Sequence, residues 1–170
     1  MKNPQFIAMP LSNLPEDLRR VFNEWSMISS GRVGPKLSEF DISSVPVSLH
    51  PFTMIKLLED EPRAYRYHYY GSAFADLNGE DLTGQTTDQV SDPQFAEAIR
   101  QSLDDFLTQS QAQLYIVCTD TDREWQSFET VQMLLRLPLS SDGKSITGTV
   151  SIVREHVNED RFHELEQMGS

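Results

Sequence analysis

Arg66-Tyr-His-Tyr-Tyr-Gly-Ser-Ala-Phe-Ala-Asp-Leu-Asn-Gly-Glu-Asp-Leu-Thr-Gly84 reads as a strand that stops at a glycine and turns straight into a helix. Tyr65, Tyr67 and Tyr69 alternate with Arg66, His68 and Tyr70, the period of a strand with one buried face. Gly71 breaks the alternation. Ser72 is a cap for a short helical stretch, Ala73 to Leu77, and Asn78-Gly79 suits its end because both residues tolerate a left-handed backbone. A Leu82-Thr83-Gly84 turn follows.

Upstream, Met1 to Leu14 is polar and punctuated by proline, which predicts a loosely held leader over residues 1–13. Pro15, Glu16 and Asp17 then signal a helix start. Leu14, Leu18, Val21, Phe22, Trp25 and Ile28 recur at helical spacing, an amphipathic stripe. Ser29 to Pro35 ends that helix, and Leu37, Phe40, Ile42 and Val45 are single apolar anchors in an ordered connection. Thr53 to Glu59 is apolar without a clean period; its length and context favour a strand. With the charged turn Glu59-Asp-Glu-Pro62 it makes a hairpin with the tyrosine strand.

Downstream, Asp92-Pro93 opens the best helix in the chain, with Phe95, Ile99, Leu103, Phe106 and Leu107 on one face. Three strands follow: Ala112 to Thr119, roughly Glu124 to Leu139, and Ser145 to Arg154, the last two joined at Asp142-Gly143. The middle one carries apolar residues on both faces, Val131, Met133, Leu135 and Leu137 against Phe128 and Leu134, and so should be covered on both sides. Residues 158–170 are strongly charged and read as a short helix or tail.

Composition bounds the function. A chain of 170 residues with 38% hydrophobic and 24% charged residues supports one folded domain, residues 14–157. The formal charge of −12 opposes a phosphate backbone and argues against nucleic acid. No apolar run reaches the roughly 18 residues of a membrane span, and Phe6 to Leu11 is too short, and broken by Pro10, for the apolar region of a signal peptide, so a cytoplasmic location is expected. One cysteine, Cys118, allows no internal disulfide and no thiol-rich metal site. Asp76 to Glu80 and Asp120 to Glu124 open like calcium loops but lack the glycine and the bidentate glutamate that such loops need. The histidines at 50, 68, 156 and 163 have no ligand spacing, and no catalytic motif is present.

Helix, two strands, short helix, long helix and three strands make an α+β chain: a five-stranded antiparallel sheet with helices on one face and an N-terminal amphipathic helix. That order resembles a PAS domain, whose sheet runs 2-1-5-4-3. Within that fold the chain resembles a subfamily of small bacterial PAS proteins marked by a tryptophan-containing leading helix followed by Gly-Arg and Pro-basic, here Trp25 to Lys36. Their second mark is a Tyr-Arg-Tyr strand ending in Gly-Thr and then Leu-Thr-Gly, here Arg66 to Ser72 and Leu82 to Gly84. The resemblance spans about Leu14 to Glu155. His68 stands where that group usually carries arginine, and Ser72 replaces threonine.

The resemblance implies a non-enzymatic sensory or regulatory module. It would bind a small molecule between sheet and helices, or act as an interaction surface, and signal through a protein partner in trans. On that basis Tyr67, Tyr69, Ile99, Leu103, Met133, Leu135 and Ile152 are expected to line a pocket for an unidentified, mostly apolar ligand, with space beside Gly148. Tyr65, Val150, Trp125 and Phe128 are further wall or core residues. Leu18, Val21, Phe22 and Trp25 are expected to form a homodimer interface. Neither haem nor a photoreactive flavin is expected: residues 92–109 contain no histidine, and Cys118 is not at the start of that helical region. Two rivals stand beside this reading, a small cone-shaped α+β enzyme with an acid or His68 as base, and a fully packed dimeric adaptor.

Overall fold

A computed structural model describes residues 4–123 and 126–154, with the side chains of 77–78, 119–123 and 126–131 left aside. The expected charged C-terminal segment, Trp125, His156 and His163 lie outside the described residues, as do the side chains of Phe128 and Val131.

Nine main elements follow in order among the described residues: β1 (Gln5–Met9), α1 (Glu16–Ser29), β2 (Thr53–Asp60), β3 (Arg63–Tyr70), α2 (Ser72–Asn78), α3 (Pro93–Gln109), β4 (Gln113–Arg123), β5 (Gln126–Leu139) and β6 (Gly148–Arg154). They build one antiparallel sheet in the order β1-β4-β5-β6-β2-β3. Without β1, the remaining five strands run 2-1-5-4-3, the order expected for a PAS-like fold. The sixth strand is the difference. Gln5–Met9 lies in the stretch read as a loose leader, yet it pairs along β4 from Gln5 opposite Cys118 to Met9 opposite Leu114. Its four central apolar residues sit between Pro4 and Pro10, which confine the run to an edge strand without interrupting the ladder.

Helix α1 covers one face of the sheet. Glu16 and Asp17 occupy its first turn, where negative charge is favoured, and Ser30 ends it in a left-handed conformation at φ 50°. Leu18, Val21 and Trp25 are buried on Ile55, Leu114, Leu135, Leu137 and Ile152. The Gly31-Arg-Val-Gly34 segment fixes this end. Arg32 donates to the Ser29 and Ile28 carbonyls and forms a bidentate pair with Glu39, whose carboxyl it holds down at about 2. Val33 N–H donates to Gly143 O, tying the helix end to the β5–β6 connection.

Helices α2 and α3 cover the opposite face. Asp92 caps α3 by accepting from the Gln94 and Phe95 N–H groups, at 3.0 and 3.2 Å. Ala96, Ile99, Leu103 and Phe106 make its buried stripe. The Leu-Thr-Gly turn comes back along the outer edge of β3: Gly84 N–H donates to Tyr67 O, and Tyr67 N–H donates to Gln85 O. The turn thereby covers an edge that would otherwise be open for pairing.

Gly71 sits where β3 turns into α2, with Gly71 N–H donating to Thr53 O. Its backbone is ordinary, at φ −61°, so close approach explains the glycine: a Cβ there would lie 2.2 Å from Pro51 O and 2.8 Å from Thr53 O. Gly71→Ala is therefore expected to cost about 1–3 kcal/mol or more in chemical denaturation, because backbone atoms must move. An unchanged midpoint would show that the corner is looser than this packing.

Candidate functional site

The floor of the helix-covered face is set by strand phase. β2 and β3 pair with a register shift: Ile55 lies opposite Tyr69, but the next residue, Lys56, lies opposite Tyr67. His68 is the extra residue of a β-bulge. The bulge sends Tyr69 to the α1 face beside Ile55, while Tyr67 and Tyr70 face α2. Lys56 shares the face of Tyr67, with its ammonium 5.3 Å from that ring's centre. Leu134 and Arg136 of β5 and Val153 of β6 continue the floor.

Over this floor lies a cavity of about 140 Å³. Phe74 of α2, Val90, and Phe95 and Ile99 of α3 form its roof; Phe6 of β1 and Val117 and Gln132 of the β4–β5 pair close one end. Tyr70 packs edge-on against Tyr67, with ring centres 5.0 Å apart, and tilts against Phe74. The walls are thus mainly aromatic and aliphatic, as in pockets that take small molecules.

Two cations break that pattern. Lys56 and Arg136 are each 2% exposed and line the cavity. Arg136 Nη2 donates to Ser102 Oγ at 3.0 Å, and its guanidinium carbon lies 5.2 Å from the Phe6 ring centre and 5.4 Å from that of Tyr115. Its Nε and Nη1 are buried without a hydrogen-bond partner, as are the Thr149 and Ser151 hydroxyls of β6. No acidic residue is among the described residues lining the cavity. Burial, reinforced by the like charge of Arg136, pushes the Lys56 ammonium down to about 7. Burial also lowers Arg136, to about 10, against the opposing influence of Tyr115, Tyr67 and Tyr65. Tyr65 itself rises to about 12, through burial and through donating to Asp104.

The expected pocket residues divide between the two faces. Tyr67 and Ile99 line the cavity. Leu103 packs with Tyr65 and Ile99 at its margin, beside a much smaller void. Tyr69, Met133, Leu135, Val150 and Ile152 belong to the core under α1, on the far side of the sheet. Their expected place in the pocket is corrected for two reasons: the bulge reverses the phase of β3 after Tyr67, and β5 is apolar on both faces, so alternation does not say which half of it, and of β6 paired with it, lies under α1. The space expected beside Gly148 is filled, since a Cβ there would meet Lys56 O at 2.8 Å. Sequence reasoning missed Lys56, Arg136, Tyr70, Phe74 and Phe6.

The expected dimer stripe is corrected in the same way. Leu18, Val21 and Trp25 are 0, 1 and 7% exposed against the chain's own sheet, and Phe22 stacks on Trp25 with ring centres 5.8 Å apart. A second copy would have to use another surface. His68 is exposed at the bulge, so it is not a base in the cavity. A larger open cleft, about 620 Å³, runs between Phe6 and the outer side of α3, past Glu97, Gln101 and Asp105. No cluster of three metal-ligating side chains occurs among the described residues, and no described helix is long and apolar enough to cross a membrane.

No protein-family model matches the chain, and no curated protein does. Among solved structures it is similar to the LOV domain of the blue-light photoreceptor Aureochrome1 in its light state, at 16% identity and a TM-score of 0.43, over 71% of this chain and 91% of that one. It is also similar to a LOV domain studied with a flavin analogue, at 15% identity and 0.42, over 68% and 85%. An RNA-binding LOV receptor aligns at 12% identity and 0.43, over 98% of this chain but 42% of that one. These likenesses concern the fold. They also overturn the expectation that flavin is excluded, since LOV domains, one of them described with a flavin analogue, are what the chain resembles. That expectation rested on where the single cysteine lies, which bears on covalent photochemistry, whereas a flavin held without a covalent bond needs only walls and polar anchors.

Proposed function

We propose that the chain is a sensory or regulatory module in which a small ligand, held between the sheet and α2–α3, alters a surface read by a protein partner. The observation that carries this reading is the cavity itself: about 140 Å³, walled by Tyr67, Tyr70, Phe74, Phe95 and Ile99, with buried polar atoms that the chain leaves unpaired. A cavity of roughly that size accommodates a benzene ring. Its roof is the α2 to α3 segment, so occupancy pushes on elements that also face outward.

The test is a methyl NMR titration with one-ring compounds, neutral and charged. Saturable shifts at Ile99, Leu134 and Val153, with Leu135 and Ile152 across the sheet unmoved, are the expected result. Ile99→Trp should fill the cavity and abolish the shifts in a protein that still folds. If no compound gives a saturable shift, the interior is a packed core and the adaptor reading replaces the sensor.

A further inference from the structure

We propose that the cavity is a receptor site for a one-ring carboxylate, with Lys56 and Arg136 as the two residues that hold its anionic group; this rests on the sensory reading above. Two like charges are placed on the inner face of the sheet, one on β2 and one on β5, and each is almost fully withdrawn from water. Among the described residues lining the cavity, none supplies a carboxylate to face them. Burying a charge without a counter-charge is among the most costly arrangements in a protein interior, and a pair of like charges adds their repulsion. A bound anion offsets both costs.

The contacts Arg136 already makes do not complete it. The rings of Phe6 and Tyr115 meet the guanidinium plane, the Tyr115 hydroxyl lies close enough to act on its charge, and Ser102 Oγ takes one N–H, but Nε and Nη1 have no acceptor in hydrogen-bonding geometry among the described residues. The Lys56 ammonium lies over the π face of Tyr67. A carboxylate oxygen is the strong acceptor that Arg136 Nε and Nη1 lack, and its charge complements the Lys56 ammonium. Cavity volume limits what can accompany that carboxylate to about one ring, and Tyr67, Tyr70 and Phe74 offer it aromatic faces.

Proton linkage gives a second signature. The lysine, brought down to about 7 by burial, must be protonated to hold the anion, so affinity should be greatest below that value and fall as pH rises above it. Among the described residues, the other titratable and charged groups around it are Tyr65, Tyr67 and Tyr70 on β3, Tyr115 on β4, Arg136 on β5, and Asp104 and Asp105 on α3, which act on Tyr65 and Tyr115. Arg136 and Tyr65 titrate at about 10 and about 12, and burial raises Tyr67 and Tyr115. Phe74, Val90, Phe95 and Ile99, which roof the cavity, carry no titratable group.

The experiment is a titration of the full chain with benzoate, benzamide and acetate, followed at the methyl groups of Ile99, Leu134 and Val153. Benzoate should bind more tightly than benzamide by roughly 10- to 150-fold, the range of a charge-assisted hydrogen bond. Acetate, which lacks the ring, should be the weakest carboxylate. Lys56→Met should weaken benzoate by a similar factor, leave benzamide little changed, and remove the decline in benzoate affinity between pH 7 and 9. Benzamide equalling benzoate, or a Lys56→Met protein that binds benzoate unchanged with the same pH profile, overturns the anion assignment and leaves the pocket reading standing. If neither ring compound gives a saturable shift, the pocket reading fails with it.

Discussion

Lys56→Met should stabilise the ligand-free protein by about 4 kcal/mol at pH 7, an unusual direction for a substitution in the middle of a buried strand. The lysine sits at 10.5 in the unfolded chain and at about 7 in the folded one. A base lowered by folding binds more protons unfolded than folded, so it opposes folding, in full below about 7 and progressively less as pH rises toward 10.5. The wild-type protein should therefore gain about 2 kcal/mol between pH 7 and 9, while Lys56→Met should show no such slope. Tyr65 acts in the opposite sense, but only above pH 10: raised to about 12, it contributes stability that is lost as pH rises past its unfolded value. Carboxyls held low, such as Glu39, titrate far below the window. Urea denaturation at pH 7, 8 and 9 reads both effects. A flat wild-type profile with no gain in the variant would mean that Lys56 is solvated, and the argument for an anion in the cavity would lose its electrostatic basis.

The same residue shows where sequence reading stopped. The order of strands and helices was legible because Gly71, Asp92-Pro93 and Asp142-Gly143 break the chain at element boundaries, and the sheet order followed from the resemblance those elements carry. The pocket was not legible, because its position depends on phase. Alternation assigns Tyr65, Tyr67 and Tyr69 to one face only if no residue is inserted, and the insertion at His68 leaves no sequence mark. In β5 the run Met133 to Leu137 is apolar at every position but Arg136, so alternation cannot say which half faces which helix. That single arginine, like Lys56 between Ile55 and Leu57, was nonetheless a usable signal. A lone charge in a strand covered on both sides must be paired, or be meant for something outside the chain. β1 was missed for a different reason: Phe6 to Met9 is too short to stand alone, and only the edge of β4 makes it a strand.

Trp25→Ala is expected to destabilise the protein by about 3–5 kcal/mol, and the physical causes add in one place. The indole is 7% exposed between α1 and β5, stacked on Phe22, and its Nε1–H donates to Pro138 O at 2.8 Å. Gly34 closes over the same carbonyl so tightly that a Cβ would lie 2.3 Å from it, so the backbone there has little room to collapse into a void. Truncation leaves a cavity and a buried carbonyl without its donor. Trp25→Phe keeps most of the volume and removes the N–H, and so should fall between, at about 1–3 kcal/mol. Urea midpoints and sedimentation should be measured together on both variants. The packing seen here predicts a loss of stability at unchanged mass. A Trp25→Ala protein that keeps its stability but sediments as a lighter species would instead return the stripe Leu18, Val21, Phe22 and Trp25 to an interface between copies, and α1 would have to leave the sheet to make it.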